Sequence, residues 1–243
     1  KHSFDLPPVT DDNTRMQCYH NAKDAILETT HRNPGPVQLN IRIVDTEQGK
    51  FEDVELPIIR PLKRYMAWDE WTDAELCGKK VLIVIGEHRP FTDKQNEAID
   101  AFCESYDAAV YVNHLSNYHG KFAIQGNLLV SCGGMKRLCP DVFITVGGQT
   151  GDYSIYAALN SAGNAEHWRV SEDGNYVDTY GRLVKIFECP DYYFFNRMAG
   201  ENNSEHCYFY AWKQLNDTMN YDVELPFSNL YVAQQLYKSI PQN

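Results

Sequence analysis

The run Gly147-Gly-Gln-Thr-Gly lies between an apolar stretch and a segment of helical spacing. Small residues there let backbone N–H groups and a helix N-terminus approach an anion such as a diphosphate. A GxGxxG fingerprint needs glycines that Gln149 and Asp152 do not supply, and Asp152 brings negative charge to where a phosphate would lie. The plain structural alternative is a tight β–α turn. A second polar segment, His114-Leu-Ser-Asn-Tyr-His-Gly-Lys, follows an apolar strand. It therefore falls at the carboxyl edge, where open α/β sheets bind ligands. Ser116, Asn117, His119 and Lys121 are the candidate site residues here, with hydroxyl, amide, imidazole and ammonium groups that could hold a carboxylated substrate; the plain alternative is a polar loop. Glu87-His-Arg occupies the equivalent edge of the preceding strand, where Arg89 is either an anion ligand or a solvated side chain.

Other chemistries lack their parts. His114 and His119 are five apart, and no cysteine or carboxylate completes a ligand set, so no metal site is expected. There is no Gly-x-Ser-x-Gly elbow and no P-loop lysine. Cys132-Gly-Gly has no base beside it and reads as a structural thiol. Asp191-Tyr-Tyr-Phe-Phe reads as a packing face.

The elements that must position these residues follow from hydrophobic period. Val81-Leu-Ile-Val-Ile is a continuous apolar run, as expected of a strand covered on both faces. Thr92 and Gln95 form a capping box before a stripe of Ala98, Ile99, Phe102 and Tyr106. Ala108–Val112, Val142–Val146, His167–Val170 and Leu183–Phe187 read as further strands, with a helix through Tyr156, Leu159 and Ala162 and an Asp173-Gly-Asn turn. Strands alternating with helices imply βαβ units. The expected fold class is α/β, a Rossmann-like doubly wound parallel sheet, with flanking helical and strand segments.

Four stretches result: 1–44, 45–74 as a linker, 75–199 as the Rossmann-like domain, and 200–243. In the first, an opening strand precedes a helix capped by Asp11 and Asp12, and Asn33-Pro-Gly-Pro leads into a strand over Val37–Ile43. This helix–strand pair has too little surface to bury its apolar face alone. Ile59–Tyr65 reads as a strand entering the next domain. Two helices are expected after Gly200, one presenting Tyr208, Trp212, Leu215 and Met219 and one presenting Leu230, Ala233, Leu236 and Ile240.

The chain has 243 residues, with 22 Lys and Arg against 33 Asp and Glu, a net charge of −11. A field of that sign repels phosphate backbones and anionic lipid, so neither nucleic acid nor a membrane surface is an expected partner. The longest apolar run is too short to span a bilayer, and no signal peptide is visible. Seven dispersed cysteines suit a reducing cytosol, so a cytoplasmic location is expected and the sequons at Asn202 and Asn216 are idle. The first residue is Lys1 rather than Met, and the chain is expected to begin within a longer protein.

Three stretches carry a family resemblance. Asn21-Ala-Lys-Asp-Ala-Ile-Leu with Asn33-Pro-Gly-Pro-Val-Gln-Leu-Asn-Ile resembles the last helix and strand of the pyrimidine-binding domain of thiamine-diphosphate-dependent enzymes. Pro140-Asp-Val-Phe-Ile-Thr-Val-Gly resembles the strand and glycine turn of their central domain. His167-Trp-Arg-Val-Ser-Glu-Asp-Gly-Asn-Tyr-Val-Asp-Thr is similar to the family's menaquinone-pathway branch. The resemblance implies that 1–44 ends a pyrimidine-binding domain, that 75–199 is the central domain, and that 200–243 runs into a diphosphate-binding domain.

It further implies a parent carboligase or decarboxylase acting on a 2-oxo acid, which uses thiamine diphosphate and Mg²⁺ and works as a homo-oligomer with its remaining domains. The family's activating glutamate would lie before Lys1 and its Gly-Asp-Gly…Asn motif after Asn243; Glu172-Asp-Gly-Asn lacks the first glycine. This stretch is therefore expected to hold no catalytic residue, metal or cofactor, to be inactive alone, and to keep an empty nucleotide cleft. The rival readings are a stand-alone module binding NAD, FAD or ADP and a non-catalytic assembly domain.

Overall fold

The structure, a computed structural model, describes residues 2–42, 60–72, 75–200, 204–219 and 223–240. Most of the expected linker and part of the loop after Gly200 lie outside the described residues. In chain order the N-terminal elements are β1 (Ser3–Leu6), α1 (Asp12–Glu28), β2 (Gln38–Ile41) and β3 (Lys63–Met66). Then come β4 (Val81–Ile85), α2 (Asp93–Ser105), β5 (Ala108–Val112), β6 (Ala123–Gln125), α3 (Gly126–Ser131), α4 (Gly134–Arg137), β7 (Val142–Val146) and α5 (Tyr153–Asn160). The last are β8 (Glu166–Val170), β9 (Leu183–Glu188), α6 (Asp191–Met198), α7 (Cys207–Asp217) and α8 (Asn229–Ser239).

Seven of these strands form one all-parallel sheet in the order β3-β9-β8-β7-β4-β5-β6. The chain builds outward from β4 on one side through β5 and β6, then returns to β4's other flank with β7 and continues through β8 and β9. This is the doubly wound arrangement expected of alternating apolar strands and amphipathic helices, and its reversal point lies between β4 and β7. Every residue of β4 is buried, as its unbroken apolar run requires. The capping box before α2 forms, with Thr92 N–H donating to Gln95 Oε1 at 3.1 Å, and Ala98, Ile99, Phe102 and Cys103 are buried beneath it. On one face of the sheet α2 and α6 cover Ile83, Ile85, Trp168 and Phe187; on the other, α3, α5 and α7 cover Leu82, Val84 and Phe143. Tyr208 and Trp212 of α7 are buried in that second layer, and Leu215 and Met219 pack at its margin, the face read from their spacing.

Residues 63–66 join the sheet as its β3 edge, parallel to β9, ahead of Glu75. β6, α3 and α4 have no counterpart in the sequence reading. The N-terminal unit departs from expectation. β1 and β2 pair in parallel with each other, but β2 buries no face: Ile41 is 69% exposed, as is Ile26 of α1 at 68%. No layer among the described residues covers them, in keeping with the surface shortage inferred for this pair.

Candidate functional site

The loops that follow β4 and β7 meet at the reversal point, where open α/β sheets hold their ligands. Here backbone fills the gap. Gly86 N–H donates to Val146 O at 3.0 Å, Gly148 N–H to Glu87 O at 2.8 Å, and Glu87 N–H to Gln149 O at 3.0 Å. A Cβ at Gly86 would fall on Gly148 O, closer than real Cβ atoms approach. Gly147 and Gly151 take φ of +77° and +64°, which only glycine adopts cheaply, so the run is a tight turn from β7 into α5.

Beside this seam lies a cavity of about 430 Å³ at the carboxyl ends of β7 and β8, walled by the glycine turn, Thr145, His167, Arg169, Tyr156 and Tyr180. Its charges are already spent. Asp152 caps α5, with Oδ1 accepting from Ser154 N–H at 2.9 Å, while Oδ2 accepts from the buried Tyr111 hydroxyl. Burial, then the bond to Asp152, pushes the Tyr111 hydroxyl far above its ordinary range, so it stays a donor. Arg169 is paired bidentately with Asp173 at 2.6 and 3.0 Å. Burial opposes the ionised form of Asp173, but its bonds to Arg169 and to Asn175 N–H prevail and hold the carboxyl down to about 2. His167 is buried, stacks on Phe143, and lies 2.8 Å from Thr145 Oγ1 through Nε2. Burial presses its pKa down despite the nearby Asp178 carboxylate, so the ring is neutral.

Asp152→Ala is expected to lower stability by roughly 2–4 kcal/mol, the sum of a lost helix cap and a buried Tyr111 hydroxyl left without its acceptor. Urea unfolding checks this. Adding Tyr111→Phe should remove the second part, so the double variant loses less than the two single changes summed.

The structure brings Ser116 and Asn117 together at the seam. Ser116 is buried; its Oγ donates to Ile85 O at 2.6 Å and accepts from Asn113 N–H at 2.9 Å. Asn117, at φ +52°, donates from Nδ2 to His88 O at 2.6 Å. Asn113 ties the same loop to the glycine turn through Thr150 O at 2.7 Å. His119 and Lys121 are exposed, and Lys121 does not lie at the carboxyl edge: the loop returns to the amino edge to begin β6 parallel to β5, and there Lys121 Nζ pairs with Glu104 of α2 at 2.9 Å. Arg89 opens onto a crevice of about 370 Å³ shared with Glu87, Glu172 and Asp191, a balance unfavourable to anions. His88 in that crevice pairs with Asp191 at 3.0 Å; this bond raises its pKa against the effect of burial.

Sequence reasoning passed over Thr145, His167, Arg169 and Tyr111. The signal was available as a polar residue inside an apolar strand, and as alternation along His167-Trp-Arg, which sends His167 and Arg169 to one side of the sheet. Among the described residues no group of three or more His, Cys, Asp or Glu is placed to hold a metal. The Glu172-Asp-Gly-Asn turn does not fit a magnesium diphosphate: Asp173 is taken by Arg169, and the Glu172 carbonyl accepts from Arg32 at 2.9 Å. Among the described residues no helix is long and apolar enough to cross a membrane.

Sheet order and site geometry define a Rossmann-like parallel α/β domain carrying a flanking βαβ unit. No protein-family model matches the chain. Three curated relatives of the same name are similar to it, each a 2-succinyl-5-enolpyruvyl-6-hydroxy-3-cyclohexene-1-carboxylate synthase. The one from Phocaeicola vulgatus is 26% identical over 100% of this chain and 45% of its own length. That from Bacteroides thetaiotaomicron is 24% identical over 100% of this chain and 45% of its own length. The Flavobacterium psychrophilum protein is 25% identical over 84% of this chain and 36% of its own. The chain thus spans less than half the length of these relatives, and the menaquinone-branch resemblance read from residues 167–179 is borne out.

Proposed function

We propose that this chain is the central part of a thiamine-diphosphate-dependent carboligase or decarboxylase that acts on a 2-oxo acid and makes the product its relatives are named for. The observation that carries this reading is similarity along the full chain to synthases of one name. In this reading the enzyme is cytoplasmic and homo-oligomeric. Thiamine diphosphate and Mg²⁺ are held by other domains, and the chain alone is inactive. The 113–121 loop forms one wall of the substrate channel. Ser116 and Asn117 fix its backbone against β4 and the 86–91 loop, and His119 is the side chain it offers, Lys121 being paired with Glu104 at the other edge of the sheet.

The nucleotide-module reading has less behind it. The α5 N-terminus that would cradle a phosphate is satisfied by Asp152, and the gap where a dinucleotide lies across such sheets is stitched by backbone.

The test is an assay of the enzyme encoded by the complete reading frame, supplied with thiamine diphosphate, Mg²⁺ and a 2-oxo acid, for 2-succinyl-5-enolpyruvyl-6-hydroxy-3-cyclohexene-1-carboxylate formation. Ser116→Ala with His119→Ala is expected to lower kcat/KM roughly tenfold, about 1.4 kcal/mol of transition-state stabilisation. Unchanged turnover and affinity in that variant removes the loop from the channel. Absence of product with the unmodified enzyme removes the functional assignment.

A further inference from the structure

The amino edge of the sheet, opposite the seam, carries a cavity that no part of the proposed chemistry uses. It measures about 730 Å³, within the range of about 300–1,000 Å³ usual for small-molecule sites. The loops entering β4, β7 and β8 form one wall, α4 and the turn before it a second, and α5 with the turn after it a third. Its floor is apolar: Val130, Met135, Pro140, Ala162 and Ala165 line it, and all five are buried.

The charges around that floor are unevenly answered. Both carboxylates have partners: Asp141 Oδ2 accepts from the Lys80 amide at 2.9 Å, and Glu166 accepts from Trp168 Nε1 at 3.2 Å and lies 3.6 Å from Lys79 Nζ. The last carbonyls of α5, the negative end of its dipole, are covered as well. Arg182 Nε donates to Leu159 O at 2.9 Å, and its Nη2 donates to Asn160 O at 2.7 Å. Lys80 and Lys136 line the same cavity, and neither ammonium has an ion-pair partner among the described residues. Lys80 acts on the interior: burial pushes the Cys139 thiol at the floor up, and the Lys80 charge pulls against it. The other cavities with a cation lack this combination. Beside the seam Arg169 is matched by Asp173, and the crevice at Arg89 is shared with Glu87, Glu172 and Asp191.

We propose that this cavity is a binding site for a monocarboxylate with an apolar body, its carboxylate met by Lys80 and Lys136 and its body laid on Met135, Pro140 and Ala162. Small-ligand sites have this composition, an apolar wall with a few polar groups that fix orientation. The net charge of −11 turns away polyanions, whereas a small anion entering here meets two ammonium groups and no carboxylate left without a partner. Lys80 is half-buried, so its contact with a carboxylate is less screened than a contact on open surface. Neither lysine belongs to the seam or to the 113–121 loop, so the site stands or falls apart from the catalytic reading.

Cys139 reports occupancy directly, because its thiol lines the floor and is partly accessible. The chain is labelled with N-ethylmaleimide, an uncharged reagent, at about pH 8.5, and each cysteine is followed by mass spectrometry as octanoate is added. Cys207 is exposed on α7 and serves as the internal control. Octanoate is expected to slow Cys139 labelling about tenfold at about ten times its Kd, and to leave Cys207 unchanged. Octanol, with the same chain and no charge, should protect Cys139 several-fold less at equal concentration. Lys80→Gln with Lys136→Gln, each rate taken relative to that variant without ligand, should erase the advantage of octanoate over octanol. Neither substitution alters the core, so the variant folds as the parent does. Equal protection by octanoate and octanol, octanoate protection that survives both substitutions, or none at about 10 mM overturns the site.

Discussion

Gly86→Ala is expected to cost roughly 3–5 kcal/mol of folding stability, at the severe end of what one methyl group does. Most overpacked sites relax because the neighbour is a side chain. Here the neighbours are the Gly148 carbonyl and the Gln149 backbone, held by the three hydrogen bonds that join the β4 and β7 loops. To admit the methyl group, the seam must part, and buried backbone groups lose their partners. Gly163→Ala is the control: φ is +57° with nothing within 4 Å of the added Cβ, so it pays only the left-handed strain of about 1–2 kcal/mol. Urea midpoints at matched m-values measure the difference. If the two variants unfold at the same midpoint, the seam is not the constraint described.

Trp168→Ala is expected to cost about 3–5 kcal/mol, the range for large aromatic side chains deleted from a core. Trp168 is fully buried in β8, packed against Phe187 at 5.5 Å between centroids, with Nε1 donating to Glu166 at 3.2 Å. Lys185 Nζ lies 4.2 Å over its ring and loses that partner as well. Trp168 also stands where the β8–β9 pairing shifts register, between His167 and Trp168. The cavity left by the indole should therefore disturb His167 and its contact with Thr145. Thermal unfolding gives the stability change, and the chemical shifts of the His167 ring report the site. A Trp168→Phe variant, which keeps most of the volume, should recover more than half of the loss.

Much of the sheet was legible because its signals are local. Val81–Ile85 is apolar at every position, and a strand buried on both faces has no other composition available. Thr92 and Gln95 announce α2 because a capping box needs those two side chains three residues apart. What escaped depends on partners far away in the chain. α3 begins at Gly126 with no side-chain cap; its start is set by the Tyr111 ring, which lies where a Cβ on Gly126 would go. β6 is three residues long and carries no period. The site escaped for the same reason. Thr145, His167 and Tyr111 stand on three different strands, and Asp152 reaches Tyr111 across 41 positions of sequence. Asp152 reads in the sequence as a negative charge at a phosphate position, but its role as a cap on α5 depends on the geometry. In the polar loop the start at the carboxyl end of β5 is readable, while the turning of Ser116 inward onto Ile85 and the return of the chain to the amino edge, where Lys121 meets Glu104, are not.

β1 and β2 hydrogen-bond to each other and, among the described residues, to no other strand. Among the described residues no strand pairs with either margin of this two-stranded parallel ribbon, and Leu39 and Ile41 of β2 are exposed. In solution such margins seek any extended backbone that passes. Of the described residues, this corner is therefore the one most open to pairing with an extended segment of another molecule.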